Sequence, residues 1–103
     1  HRRCPNQVAF FKRHGTGLTM RVDPRRAEVM AQWQPGDIVF WDLANRGVID
    51  HVGIVSDRKT HAGVPLVIHH FPGRGGVAEE DVLRTWKIVG HFRYPRAQGG
   101  GQA

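Results

Sequence analysis

The chain has 103 residues, enough for one domain with a modest core, and at 40% hydrophobic it should fold rather than stay disordered. Thirteen Gly and six Pro argue for many turns and β-rich structure, and a single cysteine excludes an internal disulfide. The formal charge of +6 suits an anionic partner (nucleic acid, an anionic envelope polymer or a membrane surface) or a plain solvated basic face, while no apolar run approaches the ~20 residues of a membrane span.

Residues 5–14 read as a short helix. Pro5 suits its first turn, Val8, Phe10 and Phe11 give an apolar stripe, and Gly15 follows Lys12, Arg13 and His14 as a stop. Residues 16–23 are ambiguous between coil and extended chain. Asp23 is placed to cap a helical turn from Pro24 to about Ala31, ending before Trp33. Pro35-Gly36-Asp37 then launches Ile38-Val39-Phe40-Trp41, apolar on both sides and suited to a strand buried on two faces. Residues 49–56 form the next strand, 57–65 a hairpin-type connection, and Leu66 to Phe71 a third strand. Pro72 to Gly76 reads as a mobile loop, and Glu79-Glu80-Asp81 leads into Val82, Leu83 and Trp86. Lys87 to Tyr94 alternates as a last strand, and Pro95 ends it. Links this short exclude helical crossovers, so the sheet is antiparallel. The expected fold is α+β: a curled antiparallel sheet or partial β-barrel of about four to six strands, with one or two short N-terminal helices. Residues 1–95 make one domain, and 96–103 a Gly-rich disordered tail.

Two histidines inside otherwise apolar strands are the candidate chemistry. A buried imidazole costs free energy unless it is bonded or used. With a period of two, His51, Gly53 and Val55 share one face, and Asp50, Val52, Ile54 and Ser56 the other. His69 shares a face with Val67 and Phe71, and His70 points away. If the two strands pair as a hairpin, His51 and His69 lie side by side as a base and its orienter. Gly53 then leaves room for substrate or for a neighbouring backbone. The plain alternative is that each histidine is a satisfied strand residue.

The runs Trp33 to Trp41, Asp50 to Asp57 and Val67 to His70 resemble the NlpC-type papain-like cysteine peptidases, which cut peptide bonds in bacterial cell walls. On that resemblance His51 matches the general base and His69 the third, orienting residue. More narrowly, the opening HRRCPN, then DHVGIVSD, PLVIHH and EEDVLRTWKIVGHFRYP, resemble the bacterial family known as domain of unknown function 1287, from His1 to Pro95. The resemblance implies a thiol hydrolase, peptidase or amidase, acting on cell-wall peptides or a related amide in the periplasm or outside the cell. Asp50, Gly53 and His70 are its candidate substrate-binding residues.

Such enzymes need a thiol at a helix start, where the helix end and a nearby His lower its pKa. Cys4 precedes a helix and is one candidate. In the narrower family, however, HRRCPN lies downstream of the nucleophile, and the position of Cys4 is usually apolar. On that reading the chain, which opens His1-Arg2-Arg3 without Met or a visible leader, lacks its N-terminal helical part. A sheet face left bare would then invite self-association or a missing N-terminal segment.

Other features are weaker. The seven histidines show no close zinc-type spacing, and His69 and His70 face opposite ways, so neither metal nor cofactor is expected. Trp33, Trp41 and Trp86 read as core. The scattered arginines lack the aromatic interleaving of single-strand binders. The rival to an enzyme is a non-catalytic basic β-barrel module that binds an anionic envelope polymer.

Overall fold

Strand β2 (Ile38–Asp42) is buried along its whole length, as its doubly apolar sequence requires, and it lies inside the sheet. The computed structural model describes residues 3–70 and 75–95. Among these, helix α1 spans Arg3–His14 and a short α2 spans Ala27–Met30. The other strands are β1 (Thr16–Gly17), β3 (His51–Lys59), β4 (Pro65–His70), β5 (Val77–Glu80) and β6 (Lys87–Arg93). They form one antiparallel six-stranded sheet in the order β1-β6-β2-β3-β4-β5, which is not closed into a barrel. The α+β class, the antiparallel sheet and the short helices are as the sequence predicts. Phe71, Pro72 to Arg74 and the Gly-rich tail lie outside the described residues.

Each face of the sheet carries its own core. On one face Ile38, Phe40 and Phe92 pack with Cys4 and Val8 of α1, and Phe11 adds to them. These helix positions are spaced by four and three, which makes one apolar stripe. Lys12, Arg13 and His14 occupy the last turn, where cations oppose the helix dipole. Gly15 ends α1 because the chain runs tight against β6. A Cβ there would stand 2.9 Å from the Arg93 carbonyl oxygen and 3.0 Å from that of Phe11.

The opposite face holds Trp33, Val39, Trp41, Val55, Val64, Val67 and Leu83. Val22 and Met30 from the segment after β1, and Trp86 from the segment before β6, pack onto it. Register places Trp41 beside His51, and Val39 beside both Gly53 and His91. His51 of β3, His69 of β4 and His91 of β6 therefore share this second face.

Two local expectations need correction. Asp23 does not cap α2. Its carboxylate accepts the Arg25 amide at 3.1 Å, making a turn, and α2 begins four residues on, with Arg26 before it. Also, 77–80 is a strand, not a lead-in to the next segment. β5 is a polar edge strand held to β4, and charge on an exposed edge discourages pairing with another chain.

Candidate functional site

β3 and β4 are hydrogen-bonded neighbours, with Gly53 opposite His69. His51 and His69 are buried at 6% and 3% exposure, and His51 Nε2 lies 2.9 Å from His69 Nδ1. The rings meet edge to face, with centroids 5.1 Å apart and planes at 85°. Trp41 stacks on His51 at 5.3 Å, and Trp86 closes against both imidazoles at 5.6 and 6.0 Å. Trp41 is itself pinned, its indole N–H donating to the Leu83 carbonyl at 3.2 Å. The two tryptophans are core residues that also wall the histidine pair. Burial, and after it the neighbouring His69, holds His51 below the ordinary histidine range, so the ring is unprotonated at neutral pH.

One member of this site was not legible in the sequence. Glu80 of β5 reaches diagonally to β4, and its Oε1 lies 2.7 Å from His69 Nε2. A row of three polar groups, His51, His69 and Glu80, thus crosses three adjacent strands. The only available signal was a glutamate pair shortly after a Gly-rich turn that follows a strand.

The remaining candidates sit elsewhere. Cys4 is a correction: it packs with Ile38 and Phe40, on the face opposite His51, and it is only 8% exposed. Burial pushes its thiol up, the reverse of what a nucleophile needs. Gly53 is a second correction, because its space is already filled. A Cβ there would lie 2.5 Å from Val67 Cγ1 and 3.0 Å from the Trp41 ring, so the glycine lets Trp41 lie under the histidines. Asp50 spans a loop: its Oδ1 accepts the Leu43 amide at 2.9 Å, and its own amide donates to the Trp41 carbonyl at 3.1 Å. His70 is exposed and, by strand alternation, faces away from His69. Neither Asp50 nor His70 shares the face of the histidine pair.

A second polar cluster lies on the same face. Asp37, the last residue of the Pro-Gly-Asp turn, is 1% exposed. It accepts the Arg93 guanidinium at 2.8 and 2.9 Å, His91 Nε2 at 2.7 Å and the Gln34 amide at 3.0 Å. Burial alone would raise this carboxyl. The Arg93 fork, the Gln34 N–H and His91 outweigh it and hold Asp37 below the usual carboxylate range. His91 also sends Nδ1 to the Thr19 carbonyl at 2.6 Å and stacks on Trp33 at 3.6 Å. Among the described residues, no three His, Cys, Asp or Glu side chains are grouped to hold a metal ion.

The model of the family described as Domain of unknown function (DUF1287) matches residues 1–94. Uncharacterized protein YijF of Escherichia coli (strain K12) is 43% identical over 94 residues, 91% of this chain and 41% of that protein. The chain therefore spans about two fifths of the length of this curated relative. No solved structure matches it. No helix among the described residues is long and apolar enough to cross a membrane.

Proposed function

The chain belongs to the family of domain of unknown function 1287, and from its paired imidazoles we propose that it is the β-sheet half of a thiol hydrolase. The supporting observation is the 2.9 Å contact between His51 and His69, packed against Trp41 and Trp86. His51 accepts the proton of a thiol, and the thiolate attacks an amide carbonyl. His51 then returns the proton to the leaving amine, and water hydrolyses the thioester. His69 orients the base throughout.

The thiol is not Cys4, which lies on the wrong face with a raised pKa. We place it in sequence beyond these 103 residues. The substrate class is a cell-wall peptide or a related amide, and the site of action the periplasm or the cell exterior. The test is the full-length protein with peptidoglycan stem peptides. We expect amide cleavage that a thiol alkylating agent abolishes, that His51→Ala lowers by about 100-fold or more, and that Cys4→Ala leaves intact. Cleavage that survives removal of every other cysteine would overturn the proposal.

A second reading rests on a different observation. Arg21, Arg25 and Arg84, with Asp23, line an open groove of about 560 Å³ that does not include His51 or His69. A module that holds an anionic envelope polymer there would bind without chemistry. Its affinity would fall steeply with salt, and His51→Ala would not change it.

A further inference from the structure

We propose that Glu80 is a positioning residue that decides which nitrogen of His51 serves as the base. This rests on the hydrolase reading above, but its central measurement does not need turnover. An ionised carboxylate only accepts hydrogen bonds. With Glu80 Oε1 2.7 Å away, His69 Nε2 must carry the proton. A neutral imidazole has one N–H, so His69 Nδ1 is an acceptor. His51 Nε2, 2.9 Å from it, must then donate. The lone pair of neutral His51 is left on Nδ1, the atom that takes the thiol proton.

The reversed chain, with His69 Nδ1–H donating to His51, would aim a His69 lone pair at the carboxylate. Without Glu80 the two directions become close in energy, and part of the population presents the wrong nitrogen. The carboxylate has a second effect. When His51 becomes imidazolium, its positive charge sits between two indoles and beside His69. Glu80 supplies the opposite charge at the far end of the row, as an aspartate does behind a single histidine in a hydrolase triad. The other titratable groups that reach His51 are His69 and His70 of β4, and Asp50 just before β3.

The sheet holds Glu80 in this place. Glu80 is paired with Val67, and the adjacent Glu79 turns to the other face, where it accepts hydrogen bonds from the Ser56 hydroxyl and, at 3.5 Å, from Arg58. Opposite faces of one short edge strand are therefore fastened to β3 and to β4.

The test is nitrogen-15 NMR of the histidine rings in the whole 103-residue chain. In the unaltered chain both His51 and His69 should carry their proton on Nε2 and none on Nδ1. Glu80→Ala should bring both tautomers of the pair into the spectrum and move the His51 titration to lower pH. Glu80→Gln keeps an oxygen acceptor without the charge. It should retain more of the Nε2–H form while still moving the titration down, and as an isostere it also serves if the alanine variant unfolds. In the full-length enzyme either change should lower kcat by about 10- to 100-fold with KM little altered. Ring-nitrogen signals and titration unchanged in folded Glu80 variants would overturn the proposal. Failure of the hydrolase reading shows differently: His51→Ala would leave turnover untouched while the tautomer result stood.

Discussion

His69 and His91 lie in one cross-strand row, on β4 and β6, with Gly53 and Val39 between them. Three strand spacings put them about 14 Å apart. Each brings Nε2 to 2.7 Å from a carboxylate oxygen. Their surroundings differ in what the second nitrogen and the carboxylate do. His91 faces acceptors on both sides, the Asp37 carboxylate and the Thr19 carbonyl, and Asp37 is also filled by the Arg93 fork and a backbone amide. Every group is spoken for, so the cluster fastens the segment after β1 and the turn before β2 to β6. His69 instead passes its second nitrogen to another imidazole, and Glu80 is 29% exposed. The same two residue types make a clamp when the hydrogen bonds converge on one carboxylate, and a directed relay when they run in series.

The largest effect that would break this comparison is on stability. Asp37→Ala removes the partner of Arg93 and of buried His91, and it should cost about 3 kcal/mol in urea denaturation. Glu80→Ala should cost about 1 kcal/mol, a lost hydrogen bond from a half-buried group. If the two costs were equal, or reversed, clamp and relay would not be distinct. Between these lies Gly53→Ala, which pushes a methyl into Val67 and the Trp41 ring and should cost about 1–3 kcal/mol. The same change should disturb the His51 ring signals but not those of His91, because Trp41 stacks on His51 and Trp33 on His91.

The pH dependence of stability separates the two histidine regions further. Asp37 is held below its ordinary value of 3.8. Its contribution is therefore present above that pH and is lost as pH falls through the folded value. His51 is held below 6.5, so the unfolded chain takes up its proton first. Stability should thus begin to fall as pH drops below about 6.5, well before the Asp37 loss, and His51→Gln should remove only that earlier step. Thermal denaturation across pH 3 to 8 checks both. The smallest expected effect concerns Cys4: its buried, raised thiol should react with alkylating agents only slowly in the folded chain and readily in denaturant.

The β3–β4 hairpin was legible because apolar alternation with a polar link identifies both strands and sorts His51, His69 and His70 between faces. The double burial of β2 was legible for the same reason. Glu80 was not, because Val77-Ala78-Glu79-Glu80 carries no apolar face, and an edge strand needs none. The partners of Asp37 were hidden differently. His91 and Arg93 lie 54 and 56 residues away, and no local pattern links a turn aspartate to the last strand. Gly53 misled because an absent side chain looks like open space in a sequence, whereas here the space belongs to Trp41 and Val67.

The alternating glutamates of β5 have one more consequence, for insertion and deletion. Register in a hairpin is ordinarily dictated by the length and type of its turn. Here Glu79 and Glu80 bond to partners on opposite faces, and because the run continues to Asp81, slipping the strand by one residue would set Glu79 or Asp81 in the place of Glu80. A slip of one residue would therefore exchange which acid faces His69 rather than remove it, whereas a slip of two residues toward the start of β5 would bring Ala78 there.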